Sequence, residues 1–157
     1  MRTKANIPEL GTKGHTALMC AALEGDTNAV KTLLLRGAAV NAKDDEGRSA
    51  LMFAVVNMHH DTVNILLKHG ANVNARASDG GTALMLAASC GDPRMVQALL
   101  NAGADLNATF VTTGKNAVSI AADRGCTDVI ELLKTAMVRK QPGSHETVPM
   151  YKEKCNG

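Results

Sequence analysis

The chain contains no tryptophan, one tyrosine (Tyr151) and two phenylalanines (Phe53 and Phe110). A β-sandwich draws its core from aromatic and β-branched side chains, so that architecture is disfavoured. Only four cysteines occur (Cys20, Cys90, Cys126 and Cys155), and none stands in a C-x-x-C or zinc-like spacing. A disulfide framework is therefore not expected, and reduced thiols in a cytoplasmic or nuclear setting are. Excess charge of one sign is missing as well: the net +2 sits in the tail from Thr135 onward, leaving a near-neutral body. That balance gives no footprint for nucleic acid or a membrane surface. No apolar run approaches transmembrane length, and the start Met1-Arg-Thr-Lys-Ala-Asn-Ile-Pro8 has no apolar signal segment.

What the chain does have is periodicity. The stretch Leu99-Leu-Asn-Ala-Gly-Ala-Asp-Leu-Asn-Ala108 ends in an Asn-Ala pair that also occurs at 74–75 and 41–42. A fixed step of thirty-three residues marks a stacked repeat protein. Four units open at Gly14-His-Thr-Ala-Leu-Met-Cys-Ala-Ala22, Gly47-Arg-Ser-Ala-Leu-Met-Phe-Ala-Val55, Gly80-Gly-Thr-Ala-Leu-Met-Leu-Ala-Ala88 and Gly114-Lys-Asn-Ala-Val-Ser-Ile-Ala-Ala122. The last step is one residue longer, which places an insertion within 109–113.

Each unit reads as two short helices. Thr16, Ser49, Thr82 and Asn116 precede the first helix and carry oxygens that can accept from its free N–H groups. Gly25, Gly91 and Gly125 then stop it in the left-handed conformation, whereas unit two has Met58, so a strained or altered turn is expected there. The second helix starts at once, most clearly at Asp92-Pro93. Its apolar residues recur at helical spacing: Val30/Leu33/Leu34, Val63/Leu66/Leu67 and Val96/Leu99/Leu100, with Gly37, Gly70 and Gly103 as stops. A polar, turn-rich finger leads into the next unit.

These units resemble ankyrin repeats, whose pattern runs G-x-T-P-L-H-x-A-A, then G-x-x-x-V-V-x-L-L-L, then G-A-D-V-N-A. The match covers Gly14 to about Met137. The resemblance implies an all-α repeat solenoid of helix–turn–helix pairs with β-hairpin fingers at right angles. Two departures are systematic. The Pro of T-P-L-H is Ala17, Ala50, Ala83 and Ala117, and its His is Met19, Met52, Met85 and Ser119. Three methionines at one register predict a soft apolar ladder between repeats. Ala29 and Thr32 at one end and Lys134 at the other predict more polar terminal faces, hence an array of four repeats. The expected organisation is a lead-in over 1–11, a repeat domain over 12–138 (units 12–43, 44–76, 77–109 and 110–138), and a flexible basic tail over 139–157. Met137 to Gln141 would prolong the last helix and Pro142-Gly143 would break it.

Catalytic constellations are sparse. His59 and His60 are adjacent, so they point to different sides of a helix and cannot chelate one metal. The run Thr112-Thr-Gly114-Lys115-Asn116 lacks the earlier glycine and the final Ser/Thr of a phosphate loop, and neither H-E-x-x-H nor G-x-S-x-G occurs. Cys90, at a first-helix end, is a candidate modifiable thiol or a small unremarkable residue. No enzyme activity, metal or cofactor is expected. Asn41, Asn74 and Asn107 can hold adjacent fingers in register through their amides. The resemblance adds that such asparagines, with a Leu eight residues earlier (Leu33, Leu66 and Leu99), are hydroxylated by an asparaginyl hydroxylase in animals.

Stacked repeats present an extended concave surface, and the resemblance implies that partners meet the finger tips and first helices. Unit one would contribute Thr12, Lys13, His15, Leu23 and Glu24, and unit two Asp45, Glu46, Arg48, Val56 and Asn57. Unit three would contribute Ser78, Asp79, Gly81, Ser89 and Cys90, and unit four Thr112, Thr113, Lys115, Asp123 and Arg124. The inserted Phe110-Val111 would project from the third finger, where the aromatic either anchors a partner or folds back over unit four. The expected function is a monomeric, non-catalytic module that binds a partner protein and neither nucleic acid nor membrane. The alternatives are a nucleotide-type ligand sensor, for which the stacking aromatics are missing, and an inhibitor or effector that binds an enzyme.

Overall fold

The computed structural model describes residues 14–140. The predicted lead-in over 1–11, Lys13, the Pro142-Gly143 break and the tail from 141 onward lie outside the described residues. Eight helices follow in order among them: α1 (Ala17–Glu24), α2 (Thr27–Leu35), α3 (Ala50–Val56), α4 (His60–Lys68), α5 (Ala83–Cys90), α6 (Pro93–Asn101), α7 (Ala117–Asp123) and α8 (Thr127–Lys140). Helices α1, α3, α5 and α7 pack side by side as an inner row, and each carries its outer partner α2, α4, α6 or α8 behind it.

The core is the seam between these rows. Leu18, Leu51 and Leu84 of the inner helices are fully buried, as are Val30, Val63, Leu66, Val96, Leu99, Val129 and Leu133 of the outer ones. Each such side chain contributes roughly 1.5–3 kcal/mol relative to an exposed one, and no repeat could bury its set alone. Alanines at 22, 54, 87, 88 and 121 are also buried and let the thin helices approach closely. Met19, Met52 and Met85 are all buried. Met19 adds something the pattern does not announce: its sulfur accepts from the Thr16 N–H at 3.4 Å while Thr16 Oγ1 accepts from the Met19 N–H at 3.2 Å. A thioether thus closes the reciprocal cap that Glu or Gln usually completes.

Local signals mostly act as read. Thr82 and Asn116 accept from Met85 and Ser119 N–H, and Asp92 caps α6 with Pro93 in its first turn. Ser49 is the exception. It occupies the cap position of α3 without a side-chain cap bond, and its Oγ is buried without a hydrogen-bond partner among the described residues. A buried hydroxyl with no partner contributes nothing that alanine would lose. Ser49→Ala should therefore change the unfolding free energy by less than about 0.5 kcal/mol, or raise it, where a working cap would lose about 1 kcal/mol; urea titration separates the two. Gly25, Gly91 and Gly125 adopt φ of 74°, 74° and 71°, and Met58, the non-glycine at that register, is forced to φ 58°.

No strand occurs among the described residues, so the fingers are turns rather than β-hairpins. Two backbone bonds close each: Asp44 N–H to Arg48 O (3.0 Å) with Gly47 N–H to Asp44 O (2.9 Å), Ala77 N–H to Gly81 O with Gly80 N–H to Ala77 O (both 2.9 Å), and Phe110 N–H to Lys115 O with Gly114 N–H to Phe110 O (both 3.0 Å). Neighbouring fingers are joined by Ser78 N–H to Glu46 O and Val111 N–H to Asp79 O, both 2.9 Å. Single bonds of this kind are too few for a strand ladder. The inserted residue lengthens the third finger turn, and α8 continues to Lys140, whose Nζ donates to Ala104 O at 3.2 Å. Lys134 is exposed on its outer side, in the place of apolar residues elsewhere.

Candidate partner-binding surface

The first finger is built around Asp44, whose side chain is wholly buried. Its Oδ1 accepts from the Glu46 N–H (2.9 Å) and the Arg48 N–H (2.7 Å), and its Oδ2 from Arg48 Nε (2.9 Å). Arg48 Nη2 lies 2.8 Å from Asp44 and 2.9 Å from Glu46. Burial alone would raise the Asp44 pKa, but the Arg48 and Glu46 backbone donors and the Arg48 guanidinium together hold it below the ordinary carboxylate value. The guanidinium stands 5.0 Å over the Phe53 ring, whose other neighbour is His15, edge-on with centroids 4.8 Å apart. His15 Nε2 sits 3.3 Å from Asp44 Oδ2 without hydrogen-bond alignment.

One register explains both this cluster and the third finger. Asp44, Ala77 and Phe110 are equivalent positions, and the first and last each meet the residue twenty-nine before: Asp44 meets His15 and Phe110 meets Gly81. The Phe110 ring lies against Gly81, where an added Cβ would stand 3.0 Å from Cε1. Gly81, expected on the surface, is thus buried, and Phe110 does not project but folds back, half-buried, onto the core. Its apolar ring has a lined seat there, whereas at the tip it would remain in water. Val111 is the residue that points outward, 72% exposed.

The fingers are clamped to one another. The Asn41 amide donates to Gly70 O (3.1 Å) and its Oδ1 accepts from Asn72 N–H (2.7 Å). Asn74 repeats this with Gly103 O (3.1 Å) and Asp105 N–H (2.7 Å). Lys43 Nζ donates to Arg76 O (2.9 Å), and Arg76 Nη2 in turn to Thr109 O (2.6 Å). At the opposite ends of the inner helices, His59 Nε2 meets Leu23 O (3.0 Å) and His60 Nε2 meets Asp92 Oδ2 (2.7 Å). The two histidines therefore bridge to different neighbours, and among the described residues no group of three His, Cys, Asp or Glu is placed to hold a metal.

Of the other residues expected at the surface, Glu24, Asp45, Glu46, Asn57, Ser78, Asp79, Thr113, Lys115, Asp123 and Arg124 are exposed, and His15, Arg48 and Cys90 are half-buried. Several serve the scaffold. Arg124 Nε donates to Ser89 O (3.0 Å), Lys115 pairs with Asp123, Asn57 donates to Phe53 O (3.0 Å), and Asp79 accepts from Gly81 N–H (2.8 Å). Burial pushes the Cys90 thiol up, against Arg124 and with Asp92, so it is a weak nucleophile. Asp44 and Phe53 were missing from the expected contact set. Phe53 carried a signal, an aromatic where the other units have Cys20, Leu86 and Ile120. Two open concavities lie among the described residues: a groove of about 680 Å³ between α6 and α8, lined by both charge signs, and a cleft of about 290 Å³ between Gly25 and Met58.

Taken together, the described residues form a helical-repeat solenoid that exposes a row of clamped fingers and inner-helix ends. Family models described as "Ankyrin repeats (3 copies)" and "Ankyrin repeats (many copies)" match residues 2–77 and 66–121. The chain belongs to the ankyrin-repeat proteins, a family of modules that generally bind other proteins. No curated protein matches it. No described helix is long and apolar enough to cross a membrane.

Proposed function

We propose that this chain is a monomeric, non-catalytic module that binds one partner protein across its fingers and the inner-helix face. The observation that carries the reading is the clamping of consecutive fingers by Asn41, Asn74, Lys43 and Arg76, which fixes a binding row before any partner arrives. A preformed row binds without the entropic cost of ordering loops. The cytoplasm or nucleus suits Cys20, Cys90 and Cys126, which form no disulfide among the described residues.

The test needs residues that face outward without holding the scaffold. Alanine at Arg48, Phe110 or Arg124 would disturb the surface itself. Asp45→Lys with Val111→Asp changes only exposed groups. In affinity purification from the source cells, this double variant should keep the wild-type melting temperature and weaken capture of the main partner about tenfold, as expected on losing contacts at an interface centre. Unchanged capture would remove the fingers from the interface.

A further inference from the structure

We propose that the turn edge of the first two repeats, which carries the exposed side chains of Leu23, Val56 and Met58, docks an amphipathic helix with cationic flanks from a partner protein. This rests on the chain acting by protein binding, but places a contact at the end of the inner helices opposite the fingers, about 10 Å along α3 from Arg48.

Met58 is the starting point. The other three units place glycine at its register, and Met58 alone among the described non-glycine residues has a positive φ, 58°. A side chain in that conformation is strained: the turn into α4 imposes the backbone angle, with Met58 N–H bonding Val55 O at 2.9 Å, yet the side chain is 50% exposed instead of packed in the core. Strain kept at an exposed position points to a role outside the fold, and methionine adapts its shape to apolar partners. Leu23 (39% exposed) and Val56 (46%) share one register on the packed pair α1 and α3, where the later repeats carry Ser89 and Asp123. His59 joins the pieces: it follows Met58 and its Nε2 reaches Leu23 O at 3.0 Å. Beside Met58 lies the cleft of about 290 Å³, with Gly25 and Thr27 on one wall and His59 and Asp61 on the other. It falls below the usual small-molecule range of about 300–1,000 Å³ and suits one bulky side chain.

Charge selects the occupant. Glu24, Asp26 and Asp61 are exposed around the patch, and neither 23–28 nor 56–62 contains a lysine or arginine. Lys31 stands one turn further along α2, and Arg94 belongs to the third repeat's edge. Apolar anchors within an acidic rim fit a helix with aliphatic residues on one face and Lys or Arg beside them.

The probe is a fluorescent helical peptide of leucine and lysine with the leucines on one face; a leucine–glutamate peptide of the same pattern is the control. In methionine-methyl NMR the leucine–lysine peptide should shift the Met58 signal and leave the buried Met19, Met52, Met85 and Met95 signals in place. Met58→Gly should weaken binding about tenfold. It should also raise the melting temperature by about 3–5 °C, because glycine relaxes the left-handed turn. Lost binding in a more stable protein excludes misfolding as the cause. Three results would each overturn the inference: unchanged affinity in Met58→Gly, equal binding of the glutamate peptide, or a silent Met58 methyl. Peptide binding lost in Asp45→Lys with Val111→Asp but kept in Met58→Gly also overturns it, while leaving the finger surface in force.

Discussion

Asp44→Ala is expected to lower the unfolding free energy by about 2–3 kcal/mol, because it strips a buried carboxylate from two backbone N–H groups and a guanidinium. The finger turn itself should survive. Ala77 occupies the same register in the next finger, and its turn closes through the Ala77–Gly81 backbone bond. The variant should therefore unfold at lower urea with an unchanged helical circular dichroism signal. Acid adds an independent check. Burial opposes ionisation of Asp44, but its hydrogen bonds outweigh it and the folded pKa is depressed. The associated stability is fully present above the ordinary carboxylate pKa of the unfolded chain, and is lost as pH falls through the lower folded value. The gap between wild type and Asp44→Ala should narrow over that acid window and stay constant near neutrality. A gap that ignores acid would mean that the carboxylate charge is not what the site uses.

Most of the architecture was readable because a repeat states its own alignment several times. Glycine at 37, 70 and 103, and Asp92-Pro93 before α6, each fix one local geometry, and neighbouring units reuse them. The site was less readable where the determinant is a pair distant in sequence. Gly81 looked like one more exposed finger glycine and Phe110 like an aromatic at a tip. Sequence left the fold-back of Phe110 open and placed Gly81 at the surface, because the two meet only in the fold: the ring occupies the space that the missing side chain leaves. Ser49 shows a different limit. A cap residue at the right position does not cap when its oxygen is buried out of line with the first-turn N–H groups, and propensity alone carries no such orientation. Asp44 stood within an acid-rich run and looked like its exposed neighbours Asp45 and Glu46. Only the fold distinguishes the one that turns inward beneath Arg48 and His15.

The three register asparagines separate what periodicity reveals from what it hides. By sequence Asn41, Asn74 and Asn107 are equivalent. In the fold, Asn41 and Asn74 use both ends of the amide on the following repeat, one donated and one accepted bond each. Asn107 is exposed at the end of the last regular finger, where its backbone N–H bonds the Asp105 carboxylate. Two net hydrogen bonds of about 1 kcal/mol each put the expected loss for Asn41→Ala and for Asn74→Ala near 2 kcal/mol. Asn107→Ala should stay within about 0.5 kcal/mol of wild type, as surface substitutions do. Because repeat arrays unfold through nearest-neighbour interfaces, Asn74→Ala should also broaden the urea transition, loosening the last two repeats from the first two. Hydrogen exchange should then show faster exchange in α7 and α8 than in α1 and α3. Equal losses at all three asparagines would mean that the amides act within their own finger, and that the clamp between repeats contributes nothing to holding the row together.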